Sequence, residues 1–96
     1  MKYAVEVAMH DDVLVIRDDK LEGGSKRRAL TPVMQRLASE GWKEFVFGGP
    51  AEGYAQLALA YSARELNLRA TYFVAQRQEL HANTKEAMSV GLKVVQ

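Results

Sequence analysis

Lysine is the residue in this chain best placed to do chemistry. In Gly23-Gly24-Ser25-Lys26-Arg27-Arg28 it follows two glycines, just after the apolar run Val13-Leu14-Val15-Ile16 and a charged link, and opens a helical pattern that runs to about Ser39. Glycine lets the backbone approach a ligand closely and turn through conformations closed to other residues. The first turn of a helix carries partial positive charge on its free N–H groups and ordinarily takes Asp or Glu, yet here it takes Lys26, Arg27 and Arg28. Neighbouring cations and a helix terminus disfavour one more positive charge, which favours the free amine that nucleophilic or Schiff-base chemistry requires. The same residues also read as an exposed basic corner, because charge runs are usually solvated faces.

The other reactive side chains form no comparable constellation. His10 and His81 are far apart, with no second histidine or carboxylate at ligand spacing, and read as surface residues. Adjacent Asp18 and Asp19 point in different directions on a strand or turn and rarely share one ligand. Lys20, Arg27 and Arg28 are assigned to solvent or a partner. The chain has no cysteine, which removes thiol chemistry and a disulfide framework and fits a reducing cytoplasm. Its 13 basic and 12 acidic residues are interspersed and sum to a net charge of +1, so neither a nucleic-acid stripe nor a polybasic membrane patch is expected.

The elements that must position the lysine follow from periodicity. Tyr3 to Ala8 and Val13 to Arg17 are β-like, with His10-Asp11-Asp12 as turn residues, which implies a hairpin or two neighbouring strands. Leu30, Val33, Met34 and Leu37 have helical spacing, and Gly41 stands where a left-handed terminator would. Pro32 leaves two starts open for this helix: a cap at Thr31, or an origin near Lys26 with Pro32 in the opening turns. Glu44 to Phe47 reads as a strand closed by Gly48-Gly49-Pro50, then a helix from about Ala51 to Leu66, rich in alanine and the most buried of the series. Arg69 to Val74 is a third strand, Asn83-Thr84-Lys85-Glu86 a capping box opening a helix to about Ser89, and Leu92 to Val95 a last strand. Trp42, Phe45, Phe47, Tyr72 and Phe73 are assigned to the core, Trp42 at its rim.

Alternating strands and helices in 96 residues predict one α/β domain over residues 1–96, a Rossmann-like three-layer αβα arrangement on a mostly parallel sheet with an N-terminal strand or hairpin. Ligands of such sheets bind beyond the carboxyl ends of the strands, so the loops Gly23 to Lys26, Gly48 to Gly53 and Ala75 to Glu79 should share one edge. The apolar N-terminal run is short and broken by Glu6, so the chain reads as soluble, without a signal peptide or spanning helix.

With these residues in place, the chain resembles the fold-type II pyridoxal-phosphate enzymes, the family of 1-aminocyclopropane-1-carboxylate deaminase, D-cysteine desulfhydrase, cysteine synthase and threonine synthase. Ile16-Arg17-Asp18-Asp19-Lys20-Leu21 is similar to a basic-acidic-acidic-leucine segment of that family. Gly23 to Leu30 resembles its glycine-glycine-asparagine-lysine motif, and Gly48 to Ala60 with Ala63 to Thr71 resembles its glycine loop, alanine-rich helix and passage into the next strand. Leu80 to Thr84 through Gly91 to Val95 resembles the helix and strand that follow. The resemblance implies that the domain corresponds to the family's small cofactor-side domain and that Lys26 is the Schiff-base lysine for pyridoxal 5'-phosphate. Ser25, Gly49, Gly53 and Tyr54 would join Lys26 around that cofactor, with Arg27 and Arg28 either holding the amine neutral or solvated. The substrate would be an amino acid, undergoing deamination, elimination or β-replacement, and a homo-oligomer is compatible with it.

Two departures qualify what the resemblance implies. Where the family has an asparagine followed by histidine against the cofactor ring, this chain has Glu52, Gly53 and Tyr54, and Glu52 has no counterpart. The family's phosphate-cradling glycine loop comes later in a longer chain, and no second glycine-rich loop follows Pro50. The sequence therefore reads as truncated, or as a non-catalytic relative serving as a ligand- or partner-binding α/β module. A Rossmann nucleotide site is disfavoured by the absence of G-x-G-x-x-G.

Overall fold

The computed structural model describes residues 5–96. Its elements run β1 (Val7–His10), β2 (Val13–Ile16), a 3-10 turn (Asp18–Lys20), α1 (Lys26–Ser39), β3 (Glu44–Gly48), α2 (Ala55–Leu66), β4 (Arg69–Phe73), α3 (Ala82–Ser89) and β5 (Lys93–Val95). Strands β3, β4 and β5 form a parallel sheet in that order, with Phe47 opposite Tyr72 and Tyr72 opposite Val94. The α/β class expected from the alternation is the class observed. Parallel neighbours need a long connection, and α2 and α3 supply it.

The core lies between the sheet and the helices. Tyr72 and Leu57 are fully buried, and Met34, Leu59, Tyr61, Val74 and Leu92 close around them. Helix α2 is buried from Gln56 to Ala63, as its alanines predict, because α1 packs on one flank while β4 and α3 close the others. Thr31 of α1 and Ser62 of α2 meet there in a buried hydrogen bond of 2.8 Å. Small side chains permit that approach, and the paired hydroxyls satisfy each other away from water.

Several boundaries differ from the sequence reading for identifiable reasons. The expected first strand begins outside the described residues at Tyr3 and Ala4; the observed strand starts at Val7 and takes in His10, and Asp11 turns the hairpin in the left-handed region at φ 53°. Helix α1 starts at Lys26 and carries Pro32 inside it, which settles the choice left open by that proline. Gly41, at φ 105°, ends the helix, with its N–H bonded to the carbonyl of Ala38. Helix α2 starts at Ala55, because residues 51–54 form a separate turn. The expected capping box at Asn83 is replaced by His81, whose Nδ1 accepts the Asn83 N–H at 3.0 Å. The Asn83 side chain reaches Glu52 instead.

The hairpin stands apart from the parallel sheet. It pairs β1 with β2 in antiparallel register, Val7 opposite Ile16 and Met9 opposite Leu14, and forms its own two-stranded sheet. Among the described elements no helix covers the sheet face that carries Val46 and Phe73, so the second helical layer of a three-layer arrangement is not found there. Of the aromatics assigned to the core only Tyr72 is fully buried; Phe47 and Phe73 are each 48% exposed and Trp42 lies at the rim at 62%. Their strand positions are those expected, but among the described residues one face of the sheet has no helix and the outer edges of β3 and β5 have no further strand.

Candidate functional site

Glycines 23 and 24 shape the approach to Lys26. Both adopt left-handed φ, 88° and 74°. A Cβ on Gly23 would come within 3.3 Å of the Ala58 Cα and the Leu57 carbonyl, and one on Gly24 within 3.1 Å of the Tyr54 ring. The close approach that glycine allows is used to seat the loop on the start of α2 and to lay Tyr54 over the Gly24 backbone. The result is a pocket of about 450 Å³ lined by Asp18, Asp19, Gly23, Gly24, Ser25, Lys26 and Tyr54.

Lys26 is the first residue of α1, exposed, with no acidic residue in that turn. Among the described residues no carboxylate pairs with it. Ser25 precedes it with its side chain making no capping bond, and Tyr54 is 56% exposed across the pocket. The structure therefore brings three of the five residues singled out in the sequence, Ser25, Lys26 and Tyr54, to one place.

Arg27 and Arg28 are both drawn into ion pairs with carboxylates of the protein. Arg27 is 7% exposed and forms a buried ion pair with Glu65 at 2.9 Å, while its second nitrogen donates to the Glu22 carbonyl at 3.1 Å. It is neither solvated nor a partner-facing cation, because helical geometry turns it 100° away from Lys26 toward α2. Arg28 pairs with Asp18 at 2.7 Å and Arg17 with Asp19 at 2.7 Å, which fixes the two pocket carboxylates. The Arg17 guanidinium holds the Asp19 carboxyl below its usual range.

Gly49 and Gly53 do not line this pocket; they build the loop behind it. A Cβ on Gly49 would collide with the Tyr72 hydroxyl, and Gly53 closes a turn through its N–H to the Pro50 carbonyl at 3.1 Å. Every carbonyl from Pro50 to Gly53 accepts from the protein. Tyr72 donates to Pro50, Gln56 and Thr84 to Ala51, Asn83 to Glu52, and Gln56 to Gly53, all within 3.0 Å. Glu52, unexplained in the sequence, ties this loop to the next one through an ion pair with Arg77 at 3.2 Å. The loops expected on one edge thus meet there. Sequence reasoning missed Gln56, Thr84 and Asn83; a glutamine in an otherwise apolar helical face was the available signal, since a buried amide needs partners.

A second, polar cleft of about 520 Å³ lies between the hairpin base and α2, lined by Arg17, Lys20, Arg64 and Glu22 among others. Of its charges, Arg17 is paired with Asp19 and Arg27 with Glu65. The Tyr61 hydroxyl donates to Glu86 at 2.9 Å, and Arg64 stacks over its ring at 5.0 Å. Burial and the Glu86 carboxylate push the Tyr61 hydroxyl up to about 12. No helix among the described residues is long and apolar enough to cross a membrane. No protein-family model matches this chain, and no curated protein matches it.

Proposed function

We propose that Lys26 is a carbonyl-capturing amine, the Schiff-base lysine of a site for a pyridoxal-type aldehyde, in a domain that contributes to amino-acid deamination, elimination or β-replacement. The observation that carries this reading is an exposed lysine with no carboxylate partner among the described residues, set in a glycine-built pocket facing an aromatic ring, while the cations beside it are tied to carboxylates. The pocket residues fit the aldehyde and ring of such a cofactor. They do not fit its phosphate: among the described residues Lys26 is the only cation lining the pocket, and Asp18 and Asp19 line it too. Support for the phosphate would have to come from outside the described residues.

Pyridoxal phosphate, when bound, supplies an electron sink for the bond broken at the substrate's α-carbon. The chain's own contribution is narrower. Lys26 would hold the aldehyde through its amine and, when that amine is free, would carry protons at the substrate's α-carbon. Tyr54 offers a ring to stack on and a hydroxyl to donate, and the rigid loop beneath it holds that ring in place. Gly24 keeps the approach open.

The lack of a phosphate cradle favours a second reading, a non-catalytic ligand- or partner-binding module that retains the architecture. Titration with pyridoxal phosphate, followed by borohydride reduction and peptide mapping, separates the two. The catalytic reading expects label at Lys26 alone and none at that peptide in Lys26→Ala. Label scattered over the lysines, unchanged by Lys26→Ala, would sink it in favour of the binding module.

A further inference from the structure

Among the described residues the chain carries an apolar strand with one free edge and a parallel-sheet edge without a strand. Val13-Leu14-Val15-Ile16 is uninterrupted apolar sequence of the kind found in strands buried on both faces, yet Val13, Leu14 and Ile16 are each about 60% exposed. Among the described residues β3 pairs only with β4, so its other edge offers unpaired N–H and C=O groups. Along that edge runs an apolar groove of about 450 Å³, roofed by Leu30, Val33 and Met34 of α1 and floored by Phe45, Val46 and Phe47. A second hollow, lined by Leu37, Trp42 and Glu44, shares Phe45 and Val46 with it, so the two together run from Glu44 to Phe47.

We propose that the occupant of this groove is the hairpin of a second copy of the chain, with β2 added antiparallel to β3, and that two such contacts related by a two-fold axis form a homodimer. Charge selects the direction. Lys26 borders one end of the groove and Glu44 opens β3 at the other. An antiparallel β2 brings the acidic turn Asp11-Asp12 to the lysine end and Arg17 to Glu44; a parallel one would bring like charges together at both ends. Side-chain parity then sets the register. With Arg17 opposite Glu44, Val15 lies opposite Val46, while Ile16 and Leu14 lie opposite Phe45 and Phe47, beneath the roof helix. The hairpin thereby buries its more apolar face, the one that carries Val7, Met9, Leu14 and Ile16.

The area is sufficient. At about 35 Å² per interface residue, roughly sixteen residues from each copy bury on the order of 1,100 Å² in total, just above the least that a specific interface needs. The apolar contacts need no cofactor, and one held by Lys26 would remove only the charge that faces Asp11 and Asp12.

Sedimentation over a wide concentration range tests the dimer, and paired variants test its geometry. Leu14→Glu damages the hairpin and Val33→Glu the groove, both at exposed positions. Each variant alone is expected to be monomeric, and an equal mixture to regain association, because one intact hairpin then meets one intact groove. A wild-type chain that stays monomeric throughout overturns the proposal. So does a Val33→Glu variant that still dimerises while Leu14→Glu does not, which would mean hairpin stacked on hairpin. A cysteine-free background allows an independent reading: a Val15→Cys copy mixed with a Val46→Cys copy should form an intermolecular disulfide on oxidation, since opposed antiparallel residues lie within disulfide reach. Cross-linking no greater than that of Val15→Cys with Lys85→Cys would overturn it as well.

Discussion

Helix α2 and the β1–β2 hairpin are written in similarly apolar sequence and end in opposite surroundings. Residues Gln56 to Ala63 are all buried, whereas Val7, Met9, Leu14 and Ile16 are each more than half exposed. A helix satisfies its own backbone groups and can be enclosed on every side. A two-stranded hairpin keeps two open edges and is marginal alone, so it stays exposed until a third element comes to it. Apolar composition buries a segment only where topology supplies neighbours.

The sharpest way to test that contrast is to strike the polar groups enclosed around α2. Arg27→Ala leaves the Glu65 carboxylate buried without its cation and should cost about 3–5 kcal/mol in urea unfolding. Leu57→Ala, at a fully buried site, should cost about 2–5 kcal/mol by the same measurement, with the size set by how far the cavity collapses. Gln56→Ala removes the donor shared by the Ala51 and Gly53 carbonyls and should cost about 1–3 kcal/mol while raising amide exchange in residues 50–54. At the other extreme, Leu14→Ser in the hairpin should change monomer stability by no more than about 0.5 kcal/mol. A large loss there would show that the hairpin is already covered.

The contrast also has a pH signature. Tyr61 and Tyr72 are buried, and both hydroxyls are raised above the ordinary value of 10.0, Tyr61 to about 12. The unfolded chain therefore loses these protons first. Their contribution to stability is intact below pH 10 and declines as pH rises from about 10 toward 12. Thermal melts across that window should show the fall, and Tyr61→Phe should flatten part of it.

Much of the fold was legible because its signals are local. The spacing of Leu30, Val33, Met34 and Leu37, the glycines at 41 and 91 and the alanines of α2 each act within one element. The site was legible in part: Ser25, Lys26 and Tyr54 do converge. What escaped depends on pairs distant in sequence. Arg27 reads as a basic neighbour of Lys26, and only the arrival of Glu65 makes it a buried structural group. Asn83 matches a capping box, but Glu52 competes for its side chain and His81 takes over the cap. The bare edge of β3 cannot be read from β3 itself, since an apolar strand looks the same with one neighbour or two.

Pro32 leaves the first turn of α1 to be held by its side chains. Having no N–H, it donates no bond to the preceding turn, and its ring crowds the carbonyl four residues earlier. That turn is anchored because Arg27 is tied to Glu65 of α2 and Arg28 to Asp18, with Thr31 bonded to Ser62 just behind them. Lys26 therefore stands on a backbone clamped by its two neighbours, and it is its side chain, not the helix, that can swing.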